Sequence, residues 1–155
     1  MEVEINGIEE LVETIQALAG DEVFTQPMFE EIAMLAMFRI QARTSAGKDY
    51  ENMPFAPYTP SYAKYRERKG HPTTPPNLFF SGRMLGQGMT SEATSESAKI
   101  FFADTRDPDN ERVTQAEKAF YNYMHRPFFR LNAEDIDKIR TIIESYSRKA
   151  RRRRR

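Results

Sequence analysis

A stretch that mixes tyrosines with basic side chains, "YTPSYAKYRERKG" at residues 58–70, is the first part of the chain whose residue types suggest binding chemistry. It contains Tyr58, Tyr62, Tyr65, Lys64, Arg66, Arg68 and Lys69. Rings that stack on bases, beside charges that attract phosphates, are typical of single-stranded nucleic-acid binders. On a helix, however, Tyr62 and Tyr65 share one face close to Arg66. This placement favours tyrosines that anchor the helix and charges that form a solvated rim.

The basic C-terminus is a second candidate for binding. Seven of the 23 basic residues lie there, which leaves sixteen against 23 acidic residues elsewhere. They are Arg148, Lys149, Arg151, Arg152, Arg153, Arg154 and Arg155. Five consecutive arginines cannot order themselves by burial, so only phosphates, acidic protein or lipid headgroups could hold them. We assign them to sequence-independent nucleic-acid contact; the alternatives are a disordered tail and a contact with acidic patches of a neighbouring copy.

Residues for catalysis or metal binding are sparse. The chain has no cysteine, which excludes disulfides, thiolate metal sites and cysteine nucleophiles. Its two histidines, His71 and His125, lie near prolines in loops and form no helical metal motif. The glycines of "SGRMLGQG" lack the lysine and hydroxyl of a P-loop. We predict a protein that is not an enzyme and has no metal and no cofactor.

Length and composition predict a single soluble domain. A chain of 155 residues can bury a core without disulfides or a metal. Its start, "MEVEINGIEELVE", is acidic and lacks the apolar region of a signal peptide, and no segment approaches membrane-spanning length. We therefore expect a soluble protein made in a cytoplasm.

Apolar periodicity predicts two long helices near the N-terminus. The first begins at Asn6 and ends at Gly20, and the second runs from Pro27 to about Ala46. In the second, Phe38 lies outside the main apolar stripe, so this helix is either a central core helix or meets another subunit.

The remainder predicts loops, a hairpin and three further helices. Proline-rich loops flank a short helix at 61–69, and a turn or half-helix at 81–88 leads to a hairpin of 89–93 with 98–103. Helices are predicted at 111–124 and from an N-cap at Asn132. The fold class is therefore α+β: long N-terminal helices, a small antiparallel hairpin and a C-terminal helix, with a domain at 1–147 and a basic tail at 148–155.

Three blocks occur together and in order: "MPFAPYTPSYAKYRERKG", "PNLFFSGRMLGQGM" and "AFYNYMHRPFFRLNAEDIDKIRTII". This arrangement, over about residues 28–146, resembles the phage virion morphogenesis family, the tail-completion and neck proteins of tailed bacteriophages, which overlaps in character with tail-terminator families. Many members carry a "YAxxHxxG" stretch before the Arg-Pro-Phe segment, whereas this chain has residues 119–124 without histidine or glycine. The arginine tail also lies outside the family pattern.

The resemblance implies a structural virion protein of the head–tail junction, made in the host bacterial cytoplasm and assembled as a ring around the DNA path. A sixfold ring is expected, with twelvefold as the alternative. The partners implied are a head-side connector or stopper protein, the tail tube protein and packaged DNA, with no membrane.

A ring that closes by head-to-tail contacts needs two different patches on each subunit. The candidates for subunit or partner contact are Phe55, Tyr58, Tyr62, Tyr65, Phe79, Phe80, Arg126, Phe128 and Phe129. Phe128 and Phe129 could instead anchor the last helix in the core. A different class of function stays open: a small nucleic-acid-binding accessory protein that uses residues 64–69 and the basic tail as one surface.

Overall fold

The computed structural model describes residues 2–4, 23–108 and 110–153. Its strands are β1 (Glu2–Glu4), β2 (Met89–Ala93), β3 (Ala98–Phe102), β4 (Arg106–Asp107) and β5 (Asn110–Thr114). Its helices are α1 (Gln26–Ser45), α2 (Pro60–Arg68), α3 (Gln115–His125) and α4 (Ala133–Arg153), with a π-helical turn at Arg83–Gly88. The predicted α+β class is confirmed. The helix predicted at 6–20 lies outside the described residues.

Helix α1 is close to its predicted bounds. Thr25 begins it, because the Thr25 hydroxyl accepts a hydrogen bond from the Met28 amide at 3.4 Å. Its buried positions recur at helical spacing, at Met28, Ile32, Ala36 and Ile40. After Ser45 the chain turns at Gly47, whose φ of 76° belongs to the left-handed region. A Cβ there would lie 2.5 Å from the Pro75 Cβ, so both conformation and space require glycine.

The chain divides into two compact units. Unit 2 comprises the described residues of Glu2–Phe38, Ser91–Ile100 and Leu131–Arg155. Aliphatic side chains of α1, β3 and α4 form most of its core, which contains Val23, Met28, Phe29, Ile32, Ala33, Ala98, Ile139 and Ile143. The predicted N-cap of α4 is confirmed: the Asn132 Oδ1 accepts from the Asp135 amide at 3.0 Å, and the Asp135 Oδ2 accepts from the Asn132 amide at 3.1 Å.

Unit 1 comprises the described residues of Arg39–Thr90 and Phe101–Arg130. It contains α2, α3, the strands β4 and β5, and two long proline-containing segments. Thr59 caps α2, since its hydroxyl accepts from the Tyr62 amide at 3.4 Å and Pro60 occupies the first turn. The predicted short helix is therefore confirmed, with both ends shifted by one residue.

The predicted hairpin is also confirmed. Strands β2 and β3 are neighbours in a three-stranded sheet of order β1-β3-β2. Residues 94–97 form the turn, in which the Thr94 amide donates to the Ser97 carbonyl at 2.9 Å and the Thr94 hydroxyl accepts from the Ser97 amide at 3.0 Å. This turn chemistry explains why the polar residues between the two apolar runs specify the hairpin.

The helix predicted from Glu111 is wrong at its start. Residues 110–114 form β5, which pairs antiparallel with β4, and α3 begins only at Gln115. The reason is a capping box: the Thr114 hydroxyl accepts from the Glu117 amide at 3.2 Å, and the Glu117 carboxylate accepts from the Thr114 amide at 2.8 Å. This pair satisfies donors at a helix start, and it fixes the boundary at Thr114.

Candidate functional site

Arg66 of α2 is the centre of the candidate site. Its side chain is 1% exposed. The Nε donates to the Pro72 carbonyl at 2.9 Å, and Nη2 donates to the Phe79 carbonyl at 2.9 Å. Within the described part of the chain, no carboxylate lies at ion-pair distance from Arg66. A buried arginine that is held only by neutral carbonyls keeps its full positive charge.

Aromatic rings surround this guanidinium. Its central carbon lies 4.8 Å from the ring centre of Tyr58, 5.5 Å from that of Phe80 and 6.0 Å from that of Tyr62. Ring faces carry negative charge density, which stabilises a cation at these distances. The rings therefore supply part of the stabilisation that a carboxylate normally gives to a buried arginine.

The segment at 71–82 is fixed against this cluster. The Tyr58 hydroxyl accepts from the amides of Asn77 at 3.2 Å and Leu78 at 3.3 Å. Leu78 has a φ of 53°, a left-handed conformation that is uncommon for a residue with a Cβ. Such backbone conformations persist where surrounding contacts determine them. Here the bonds from Tyr58 and Arg66 are those contacts.

A pocket of about 640 Å³ opens beside the cluster in unit 1. Its lining comes from residues 58–59 and α2, from the segment at 78–84, from α3 and from the residue that follows α3: Tyr58, Thr59, Tyr62, Tyr65, Arg66, Leu78, Phe80, Ser81, Gly82, Met84, Lys118, Asn122 and Arg126. Among the described residues that line the pocket, Arg66, Lys118 and Arg126 are charged and none is acidic. The pocket is thus both aromatic and cationic.

Arg126 is incompletely satisfied at the edge of this pocket. Its Nη2 donates to the carbonyls of Ala56 at 3.1 Å and Pro57 at 3.2 Å, and its guanidinium lies 5.2 Å from the Tyr58 ring centre. Its Nε is buried and has no hydrogen-bond partner among the described residues. A buried donor without an acceptor costs free energy, which is a local cost of this arrangement.

Lys118 has a partner of its own. Its Nζ is paired with Oδ2 of Asp107, which is buried and also accepts from the Gln115 Nε2 at 3.1 Å. One of the three pocket cations is therefore already balanced. Sequence reasoning missed Lys118 and Asn122. The signal that could have found them is the spacing of Lys118 and Asn122, because residues four apart lie on one helix face.

The pocket residues Tyr62, Tyr65 and Phe80 form a series of nearly parallel rings. The centres of Tyr62 and Tyr65 are 6.0 Å apart with planes at 23°, and those of Tyr65 and Phe80 are 5.8 Å apart at 11°. Tyr62 and Tyr65 are 40% and 39% exposed. The two tyrosines therefore pack on one another and on Phe80 while staying partly exposed, and the buried Arg66 is not part of a solvated rim.

The predicted contact residues separate into two groups. Tyr58, Tyr62, Tyr65, Phe80 and Arg126 come together at the pocket, and Phe79 is exposed beside it. Three others, Phe55, Phe128 and Phe129, are buried within the chain and cannot be surface contacts. Phe128 and Phe129 pack against Phe102 instead, with ring centres at 6.0 and 4.8 Å. The alternative that they anchor the core is confirmed.

Two helices carry apolar side chains on the face opposite their buried face. On the part of α1 that belongs to unit 2, Met34 and Phe38 are 63% and 65% exposed. On α3, in unit 1, the exposed set is Phe120, Tyr121 and Met124. We call these the α1 stripe and the α3 stripe. Exposed apolar groups arranged along a helix mark interaction surfaces more often than isolated ones do.

The basic C-terminus continues α4 as a helix through Arg153. Arg148 lies 3.8 Å from Glu144, and the Lys149 Nζ lies 4.9 Å from the Tyr146 ring centre. Arg151, Arg152 and Arg153 are exposed, while Arg154 and Arg155 lie outside the described residues. The basic side chains of the last described turn are therefore available to an anionic partner.

Tyr146 joins α4 to α1 within unit 2. Its hydroxyl donates to the Glu31 Oε2 at 3.0 Å. Burial raises the pKa of Tyr146 above its usual 10.0, and the hydrogen bond to Glu31 and the negative charges of Glu31 and Glu30 add to that rise.

Among residues 2–4, 23–108 and 110–153, no group of three or more His, Cys, Asp and Glu side chains could hold a metal ion. None of the helices described is long and apolar enough to cross a bilayer. Comparison of the chain with protein-family models, curated proteins and solved structures finds no match.

Proposed function

We propose that this protein is a structural virion protein of the head–tail junction of a tailed bacteriophage, which assembles as a ring around the DNA path. The observation that carries the proposal is the pair of outward apolar stripes on α1 and α3. The order of the three sequence blocks supplies the biological setting. In that setting a head-side connector or stopper and the tail tube protein are the neighbours of the ring.

The two stripes fit a head-to-tail contact between copies. They differ in composition, since the α1 stripe holds Met34 and Phe38 whereas the α3 stripe combines two aromatic rings with Met124. A contact between two different patches repeats from copy to copy and closes into a ring when the rotation allows it. Methionine side chains adapt to irregular partner surfaces, which suits such a contact. We therefore propose that the α1 stripe of one copy packs against the α3 stripe of the next.

A mixing experiment tests this assignment. Phe38→Glu removes one patch and Met124→Glu removes the other, and both side chains are exposed, so the fold of each variant is expected to persist. Each variant alone should form no ring. An equimolar mixture should form a dimer, because one intact pair of patches remains between the two variants.

The controls separate head-to-tail from symmetric contacts. Glu30→Gln and Glu117→Gln lie on the same helices outside the stripes and should leave ring assembly intact. If Phe38→Glu or Met124→Glu still forms a stable homodimer through its remaining stripe, the contact joins two identical patches. That result would contradict a ring closed by head-to-tail contacts.

A second candidate function is sequence-independent nucleic-acid binding by the basic end of α4. The exposed Arg151, Arg152 and Arg153 on the last helical turn favour it. Replacing Arg151 to Arg155 with glutamine should weaken binding of a DNA fragment and flatten its salt dependence, because fewer counterions are released. If the replacement abolishes DNA binding and all function while rings never form, the accessory role is favoured. If rings form normally, the structural role stands.

A further inference from the structure

We propose that the pocket of unit 1 binds a nucleotide unit, either as a free mononucleotide or within a single strand of nucleic acid. Arg126 is assigned to the phosphate, and the exposed rings of Tyr62 and Tyr65 to the base. The proposal rests on contacts inside unit 1 and does not depend on ring assembly or on the arginine tail.

The charge of the pocket favours an anionic ligand. Arg66 and Arg126 are held by main-chain carbonyls, which accept hydrogen bonds without neutralising positive charge. A phosphate oxygen that accepts from the Arg126 guanidinium would supply the opposite charge, and such charge-assisted hydrogen bonds are about twice as strong as neutral ones. The pocket therefore contains cations in excess of its anions.

The rings favour a planar ligand over a simple carboxylate. Tyr62 and Tyr65 are about two-fifths exposed, so a planar ligand can reach part of each side chain. Bases stack on such rings with little dependence on sequence. An acidic peptide side chain would contact the cations and leave the rings unused. A nucleotide uses both features of the pocket.

Size and surroundings agree with this ligand class. The volume of about 640 Å³ lies within the range of small-molecule pockets, roughly 300–1,000 Å³. Asn122 donates through Nδ2 to the Lys118 carbonyl at 2.8 Å, which leaves its Oδ1 as an acceptor for a base amino group. On α2, the exposed Lys64 and Arg68 provide charge for the neighbouring phosphates of a strand.

The test uses the full chain with three probes: thymidine monophosphate, a labelled oligothymidylate and inorganic phosphate. Binding of the labelled strand is followed by fluorescence anisotropy. The chain has seven tyrosines and no tryptophan, so quenching of tyrosine emission reports the unlabelled probes. Saturable binding of the monophosphate, stronger than that of inorganic phosphate, is expected. Equal affinity for the monophosphate and the strand would assign the site to free nucleotides. Much tighter binding of the strand would assign it to nucleic acid.

Variants assign the binding to the pocket. Tyr62→Ala should weaken the affinity for monophosphate and strand about 5- to 100-fold, because a base loses its stacking surface. Tyr62→Phe keeps the ring and should bind like the parent protein. The matched control Met53→Ala removes an exposed apolar side chain of unit 1 outside the pocket lining and should change nothing. Arg126→Gln should weaken binding and reduce its salt dependence, whereas glutamine at 151–155 should leave monophosphate binding unchanged.

Four results would overturn the proposal. They are an absence of saturable binding to both nucleotide probes, affinities unaffected by Tyr62→Ala, inorganic phosphate binding as tightly as the monophosphate, and displacement of the nucleotide by an equal concentration of oligoglutamate. The last result would identify an acidic-peptide site. None of these readouts involves the mass of the assembly, so failure here and failure of the ring are distinguishable.

Discussion

The two units are stabilised by different kinds of interaction. Unit 2 has an aliphatic core in which Ile32, Ile139 and Ile143 are fully buried. Unit 1 combines buried aromatic side chains such as Phe128 with directional contacts, in which the charged Arg66 holds two carbonyls and lies among aromatic rings. Aliphatic burial tolerates exchange of similar side chains, whereas directional contacts fix loops in one arrangement. The unit with directional contacts is the one that contains the pocket.

The largest expected loss of stability is in unit 2. Ile139→Ala removes a fully buried side chain and should lower the free energy of unfolding by about 2–5 kcal/mol, since it combines lost transfer energy with a cavity. Denaturant titration followed by circular dichroism measures the change. Ile142→Ala is the matched control on the same helix, only partly buried, and should cost less. Equal losses for both would contradict the aliphatic core described for unit 2.

The next largest loss of stability is expected at Arg66, in unit 1. Arg66→Met preserves much of the volume but leaves the Pro72 and Phe79 carbonyls without their charged donor, and we expect a loss of about 2–4 kcal/mol. Arg68→Met, at an exposed position two residues away, should stay within about 0.5 kcal/mol of the parent protein. Denaturant titration compares the two. An Arg66→Met protein as stable as the Arg68→Met protein would show that unit 1 does not rely on this contact.

The difference between the units also explains what the sequence could predict. Helices α1 and α4 follow from apolar spacing and from the N-cap at Asn132, because those signals are local. The burial of Arg66 could not be predicted, since its two carbonyl acceptors lie six and thirteen residues further along the chain. A charged residue is also expected at the surface unless its partners are known.

The same distinction applies to single residues of the candidate site. The "HRPFFRL" segment suggested either contact or core, and only the packing of Phe128 and Phe129 against Phe102 decides for the core. Lys118 lies within α3 both as predicted and as observed, but its place in the pocket depends on packing of α3 against the segment at 78–84, which no local signal predicts. The tyrosines of α2 were identified from sequence, whereas their partners on α3 were not.

A smaller effect tests that boundary. Thr114→Ala removes the capping hydroxyl that accepts from the Glu117 amide, and it should cost about 1 kcal/mol. Thr141→Ala changes an exposed threonine inside α4 and serves as the control. Thermal or denaturant unfolding measures both. If Thr114→Ala costs no more than Thr141→Ala, the capping box does not set the start of α3.

The smallest predicted effect concerns alkaline pH in unit 2. The folded pKa of Tyr146 is raised above 10.0, so the folded state retains the phenolic proton where the unfolded chain has lost it. Its contribution to stability is therefore complete below about pH 10 and is lost as the pH rises through the folded pKa. Tyr146→Phe should reduce the loss of stability above that pH. An unchanged alkaline unfolding profile would contradict the pairing of Tyr146 with Glu31.

The central claim is that copies of this chain join through the α1 and α3 stripes into a closed ring, and native mass measurement of the purified full chain tests it most directly. The account predicts a complex of six copies, or of twelve, which is absent in the Phe38→Glu protein. A chain that stays monomeric at every concentration, or that stops at a dimer, would contradict it.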